Sequence, residues 1–415
     1  MSLPLERGTS DLTILAALKT NIFGLRKAAT WSAFLSGLII VLISSTGPLA
    51  ILFQAAKAAN FTSAETASWL LTIFVGSGIF GLALTLRYGI PIIGAWGAAT
   101  TALLVTALPL HDLRQVVGAY FIASAALLLV GVTGIFGRLM DLVPRPVVMA
   151  MLAGVLFRFG VDIFSSLESD YLIGIAMIFA FFLGRRLKWQ APVVGALFIG
   201  LIIAAAQSKL VNPHIDIALA KPIWVSPTFS LGALFTLALP IFLLVLTTQD
   251  ATGIAVLINS GFHPPTNSIV AWGGIFSLLG AGFGGSGVNI SAITAAIGTQ
   301  EHADPNPKTR YFSGVSTGFF YLLLGLFGGT VTGLFLTLPP VLLAVLAGLA
   351  LLPVIGSSTL EALADTEYRE AGLVTLLVTI SGVSAWHLGA QFWGLVAGIL
   401  VHQITSWKFP KMKNK

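Results

Sequence analysis

The sequence predicts an all-α polytopic membrane protein of about fourteen spans, arranged as two inverted copies of seven. Three observations carry that expectation. Of 415 residues, 56% are hydrophobic and only 9% charged, against roughly 25% charged in an average soluble domain. Apolar segments of bilayer length recur along the chain with short polar joints between them, as helices crossing a hydrocarbon core about 30 Å thick require. Motifs of the first half also return in the second half at a nearly constant offset.

Residues 1–30 read as a cytoplasmic, basic lead-in containing Arg7, Lys19, Arg26 and Lys27, within which Leu12 to Phe23 suits an interfacial amphipathic helix. No cleavable signal peptide is expected, because the first apolar span starts near Trp31, is long, and lacks a small-residue cleavage site. Spans are then expected at roughly 32–56, 66–87, 92–108, 114–136, 144–164, 170–185, 190–207, 231–258, 266–283, 288–298, 311–333, 338–357, 370–386 and 389–407. The third and tenth are too short to cross as full helices. The organisation is therefore a first repeat over 31–207, an exposed linker over 208–230, a second repeat over 231–407 and a basic cytoplasmic tail over 408–415.

Basic residues fix the orientation. With an even number of spans and both termini in the cytoplasm, 17 of the 22 Lys and Arg fall at inner joints and tails, leaving only Lys57, Arg114, Arg158, Lys209 and Lys221 elsewhere. That is the positive-inside pattern. The net charge of +6 thus reads as topology in a cell inner membrane and calls for no nucleic-acid partner.

The repeat rests on three matches in the same order. Pro146-Val-Val-Met-Ala-Met-Leu-Ala-Gly154 matches Pro340-Val-Leu-Leu-Ala-Val-Leu-Ala-Gly348, and Ala98, Thr100 and Ala102 match Ala292, Thr294 and Ala296, both at an offset of 194. An offset of 195 sets Gln54 on Gln249. Seven spans per copy is an odd number, so the second copy is inverted, which is a hallmark of secondary transporters whose sites lie near the midplane at the repeat interface.

Spans three and ten hold the candidate site. Tyr88-Gly-Ile-Pro-Ile-Ile-Gly-Ala-Trp-Gly-Ala-Ala-Thr100 and Gly282-Phe-Gly-Gly-Ser-Gly-Val-Asn-Ile-Ser-Ala-Ile-Thr294 each read as an extended stretch running into a short half-helix. Free N–H groups at half-helix starts attract anions without any Lys or Arg. The candidate substrate-binding residues are therefore Gly94, Ala95, Trp96, Gly287, Val288, Asn289 and Ser291, joined by Gln249 and Gln54. A plainer alternative gives these glycines only a close-packing role.

Asp250 lies inside the apolar run from Leu231 to Ile258. A carboxylate there costs roughly 2.5–3.5 kcal/mol on insertion scales unless it meets a cavity or partner. One reading makes it a structural aspartate bonded to Thr247 or Thr252. The other makes it a proton-coupling residue: the neutral form is cheaper at that depth, and an anion bound nearby favours it further. Proton and substrate anion would then bind with positive, reciprocal linkage. Arg158 and Asp162 are expected to pair, Arg145 to anchor the inner interface, and Glu361 to sit in a solvated joint.

Several classes are excluded. No GxxxxGK[ST] loop supports ATP-driven pumping. No nucleophile–acid–base set suggests an enzyme, zero cysteines remove thiolate chemistry, and no cofactor beyond the coupling proton is expected. A passive anion channel built from the same half-helices remains an alternative.

Thr247-Thr248-Gln249-Asp250-Ala251-Thr252-Gly253, Phe283 to Ile297, Leu346-Ala-Gly-Leu-Ala-Leu-Leu352 and Phe53-Gln-Ala-Ala56 resemble the benzoate:proton symporter (BenE) family, which belongs with nucleobase and SulP-type anion transporters. The similarity runs over about 30–407. It implies a core domain (spans 1–4 and 8–11) moving against a gate domain (spans 5–7 and 12–14), with an aromatic carboxylate held between spans three and ten and a proton as co-substrate. Nucleobase relatives carry an acid on span ten, where this chain has Val288 or a neighbour. That departure disfavours the nucleobase:cation alternative. Trp96, Phe283 and Phe53 are candidates to wall the ring. Related transporters are often dimers, so a homodimer is a further expectation, although no seam is legible.

Overall fold

The computed structural model describes residues 11–189, 191–210, 217–386 and 388–406. Residues 1–10 of the predicted lead-in and the predicted tail 408–415 lie outside them. In chain order the elements are α1 (Asp11–Ala28), α2 (Trp31–Ala58), α3 (Ser63–Tyr88), β1 (Gly94–Ala95), α4 (Ala98–Ala107), α5 (Leu113–Thr133), α6 (Phe136–Leu142), α7 (Arg145–Ser165), α8 (Tyr171–Arg186), α9 (Pro192–Ala206) and α10 (Leu231–Asn259). They continue as α11 (Thr266–Ala281), β2 (Asn289–Ile290), α12 (Ala292–Gly298), α13 (Phe312–Leu326), α14 (Gly328–Leu336), α15 (Pro340–Ala364), α16 (Arg369–Ser381) and α17 (Ala390–Ser406).

Among the described residues six helices, α2, α3, α5, α7, α10 and α15, are long and apolar enough to cross a bilayer. Helices α13 and α14 pass the same test together but bend by 69°, where the sequence suggested one span over 311–333. The break falls at Phe327, directly before Gly328 and Gly329. A Cβ at Gly328 would stand 3.2 Å from Ala67 O, and one at Gly329 2.8 Å from Ala218 O, so both glycines serve close approach. Helix α15 runs on to Ala364, beyond the expected end near 357, which brings Glu361 into its last turn.

Local signals set the other boundaries. Helix α3 opens with a capping box, Thr62 accepting from Glu65 N while the Glu65 side chain accepts from Thr62 N, and closes on Gly89 in the left-handed region (φ 66°). Asp170 caps α8 by accepting from Leu172 N and Ile173 N, and Lys209 Nζ reaches it at 2.6 Å. Burial pushes the Asp170 carboxyl upward, but the lysine and the two backbone N–H groups outweigh this and hold it below its ordinary value. Neither partner was paired from the sequence, because 39 residues separate them.

The predicted amphipathic helix is present as α1. It docks on α3 through Asn21 Nδ2 donating to Leu86 O and receives Tyr311 OH on Asn21 O, both at 2.9 Å, while Phe23 is exposed. The described part of the linker is exposed or half-buried. It is held by Ala220 N to Leu326 O, Val225 N to Gly282 O and Thr228 N to Arg114 O, and Trp224 stands edge-on to Phe283 at 5.2 Å.

Helices α7 and α15 pack closely, with Gly348 against Phe159 and Ile163, while Gly154 of α7 meets Thr379 of α16. The glycine ending each copy of the predicted Pro-to-Gly repeat is thus a close-approach position. Arg158 and Asp162 face each other at 3.8 Å on an open surface, a geometry that contributes at most a few tenths of a kcal/mol.

Candidate functional site

Strands β1 and β2 pair antiparallel, Gly94 with Ile290 and Ala95 with Asn289, and both are buried. Irregular backbone at membrane depth must satisfy its polar groups internally, and two devices do so beyond the ribbon itself. Thr85 Oγ1 donates to Ile92 O at 2.9 Å and accepts from Ile92 N at 3.1 Å. Ser277 Oγ does the same for Val288, donating to O at 3.1 Å and accepting from N at 2.8 Å. Each extended segment is thereby clipped to the helix before it. Gly94 permits the closeness, since a Cβ there would stand 2.6 Å from Ser77 O, and Gly287 takes φ 120°, which L side chains resist.

From this ribbon two short helices diverge. Helices α4 and α12 begin at Ala98 and Ala292, the residues matched by the offset of 194, and neither N-cap, Gly97 or Ser291, supplies a side-chain cap. Ala98, Ala99, Ala292, Ile293 and Thr294, all in first turns, line one cavity of about 360 Å³. That volume lies in the range of roughly 300–1,000 Å³ typical of small-molecule sites.

One wall of the cavity comes from α2, the two strand–helix units and α10, including Ser44, Ala95, Trp96, Thr248, Gln249, Thr252 and Ser291. The other comes from α7, α9 and α15, including Met149, Leu152, Val193, Leu351 and Val354. At one end lie Arg145 and Glu361. At the other end the walls are joined by Gln391 Nε2 donating to Thr106 Oγ1 at 2.8 Å, Gly389 N to Thr236 Oγ1 at 3.2 Å and Gln54 Nε2 to Leu343 O at 3.4 Å.

Helix α10 widens to π geometry at Leu234–Ala238 and again at Val245–Asp250, the polar island itself. Such bulges occur often at functional sites because they re-aim side chains. Here Gln249 points into the cavity, its Nε2 3.6 Å from where a Cβ on Gly97 would be. Asp250, 2% exposed, turns behind the ribbon toward the backbone of Ile290, and its Oδ1 has no hydrogen-bond partner among the described residues. Asp250 meets the Ile290 backbone, and neither threonine of the structural alternative donates to it. Thr247 Oγ1 donates to Leu243 O and Thr252 Oγ1 to Thr248 O, so both hydroxyl protons go to the helix backbone.

The structure brings Gln249, Ala95, Trp96 and Ser291 together in the cavity and sets the other candidates around it. Gly94, Gly287 and Val288 build the ribbon, and the Val288 side chain faces Gly76. Asn289 is 2% exposed. Turned so that its amide nitrogen donates, it bonds Ala95 O at 3.2 Å and Ile290 O at 3.3 Å, locking the two strands and leaving the cap position to Ser291. Gln54 bonds across to α15 instead of entering the cavity. Of the three aromatic candidates, only Trp96 lines it. Phe53 stacks on Phe335 at 4.6 Å and Phe283 meets Trp224. Trp96 packs edge-on to Phe74 at 4.6 Å and lies 6.0 Å from Tyr321, whose hydroxyl bonds Ser44 Oγ at 2.6 Å. Tyr321 and Arg145 were not singled out as site residues, since no local motif marks either.

Comparison with known proteins decides the family. The family model described as "Benzoate membrane transport protein" matches residues 27–404. The chain belongs to the BenE family. The benzoate membrane transport protein of Acinetobacter baylyi is 35% identical over 387 residues, covering 93% of this chain and 98% of that protein. The inner membrane protein YdcO of Escherichia coli is 36% identical over 364 residues, covering 88% and 93%. Members of this family are multi-pass membrane transporters of small molecules and not enzymes.

The fold resembles that of SLC26A9, with a TM-score of 0.61 at 12% identity over 99% of this chain and 73% of that one. It also resembles the transmembrane domain of the cyanobacterial bicarbonate transporter BicA, with a TM-score of 0.58 at 15% identity over 90% and 96%. These likenesses establish a helical membrane fold of the same kind as those two proteins.

Proposed function

We propose that the chain imports benzoate or a similar aromatic carboxylate together with a proton. The observation that carries this reading is the single cavity onto which the first turns of α4 and α12 open beside Trp96 and Gln249. Uncapped N–H groups there suit a carboxylate, the Gln249 amide adds a donor, and the Trp96 face with the Ala, Val and Leu wall suits a flat apolar ring. The family and its Acinetobacter baylyi member, named for benzoate, support the same substrate class.

In this reading the fourteen spans form a seven-plus-seven inverted repeat. The wall bearing α2, α4, α10 and α12 is the core domain, and the wall bearing α7, α9 and α15 is the gate. With basic joints and both termini in the cytoplasm, the Arg145 end of the cavity opens inward, and the hydrogen bonds of Gln391, Gly389 and Gln54 hold the outer end closed. Asp250 is the proton's seat. It does not touch the cavity, so it couples through the ribbon: a charged carboxylate behind β2 repels an anion at the α12 start, and a neutral one admits it. A homodimer is part of the same reading.

Proteoliposomes loaded with purified protein test it. Accumulation of radiolabelled benzoate should require an inward proton gradient and compete poorly with uracil or xanthine. Gradient-independent conductance would favour the channel, and uptake of uracil in place of benzoate the nucleobase symporter.

A further inference from the structure

The cavity has a charged end that the midplane site leaves unused. Among the described residues, Arg145 and Glu361 are the only ones lining the cavity with ionisable side chains. Arg145 is the first residue of α7 and Glu361 lies in the last turn of α15, so both stand on the same wall. Their Nε and Oε1 are 2.5 Å apart, with 52% of the arginine side chain and 39% of the glutamate side chain accessible.

A structural staple is a weak account of this pair. Ion pairs this exposed contribute little to stability, and α7 and α15 are already joined by buried apolar packing at Phe159, Ile163 and Gly348. A guanidinium has five donors in a fork that fits a carboxylate, and one glutamate does not use them all. Among the described residues, every other polar group lining the cavity is neutral: a hydroxyl, an amide, the Trp96 indole or backbone. An organic anion passing between the midplane and this end therefore meets one cation, and that cation already has a carboxylate of its own.

We propose that Arg145 is a docking residue for the substrate carboxylate at this mouth of the cavity, with Glu361 as an internal competitor that keeps the docked anion from being trapped. The proposal rests on the aromatic-carboxylate reading above. Arginine supplies attraction; the glutamate is an intramolecular carboxylate that takes its place when substrate leaves. Because both stand on one wall, the pair stays fixed while the wall carrying α4 and α12 moves past it.

The test uses purified full-length protein, with equilibrium binding of radiolabelled benzoate and efflux from preloaded proteoliposomes. Arg145→Gln should weaken benzoate binding on the order of tenfold. Glu361→Gln should do the opposite, tightening binding and slowing efflux, and the double variant should follow Arg145→Gln. Both single effects should shrink in high salt, as partly exposed charges do. Arg145→Lys, which keeps the charge, and thermal unfolding of each variant separate loss of the anion site from loss of fold. If the wild type binds benzoate but both single variants shift affinity in the same direction, or neither shifts it, the docking role is overturned and the pair is structural. If the wild type binds no benzoate, the functional reading falls and the docking role falls with it.

Discussion

The two strand–helix units share a plan and differ in what they carry. Each begins with an extended residue clipped by a hydroxyl, Thr85 on Ile92 and Ser277 on Val288. Each then contributes one strand of the ribbon and one uncapped helix. But β1–α4 brings the aromatic ring, Trp96, and a helix of 10 residues, whereas β2–α12 brings the lock, Asn289, a helix of 7 residues and the neighbouring Asp250. In the proposed reading, recognition of the ring falls to the first unit and coupling to the proton to the second. On that reading the two units share a frame, and a few residues within it separate the two tasks.

The strongest test of that division removes the charge beside the second unit alone. Asp250→Asn should abolish accumulation driven by a pH gradient while benzoate still binds and exchanges, because the cavity contains no atom of Asp250. Gradient-driven accumulation at the wild-type level would remove Asp250 from the coupling. On the first unit the largest effect should come from filling the cavity. Ala95→Phe places a ring where a methyl lines the wall and should abolish binding itself, measured on detergent-solubilised protein, with gradient coupling no longer observable.

How much of this was legible in the chain depends on the range of the interaction. Composition, period and the offset between Ala98 and Ala292 are local or repeated signals, and they located the short helices and the extended segments before them. Asp250 announced itself because a lone carboxylate in an apolar run is costly wherever it points. Direction was not legible. Gln249 and Asp250 are adjacent on a π-helical stretch, and only the packed structure shows that one enters the cavity while the other turns behind the ribbon. Asn289 read as a ligand because an amide near a helix start commonly is one, whereas its bonds to Ala95 and Ile290 come from a strand pairing about two hundred residues apart in sequence. Arg145 with Glu361 and Gln391 with Thr106 are invisible for the same reason: each partner looks ordinary until packing brings the other to it.

The smallest expected effect concerns the clips, and it asks whether the two units are held equally. Thr85→Val and Ser277→Ala each remove a hydroxyl that serves both the N–H and the carbonyl of one buried residue. Thr85→Val removes the partner of the Ile92 carbonyl while Ile92 N keeps Ile90 O at 2.8 Å, and Ser277→Ala removes the partner of both groups of Val288; each such loss costs about 1–3 kcal/mol, so each variant should lower the unfolding temperature in detergent by a few degrees. The consequences for transport should differ. Ile92 lies four residues before Trp96, with buried Ile93 and, packed against α3, Gly94 between them, so Thr85→Val should chiefly weaken benzoate affinity. Val288 lies directly before Asn289, whose amide holds the strand that Asp250 faces, so Ser277→Ala should leave affinity nearer the wild-type value and loosen the dependence of uptake on the proton gradient. Equal losses of affinity in the two variants would mean that the ribbon transmits any disturbance to both helix starts, and that the division of labour between the units is a matter of side chains alone.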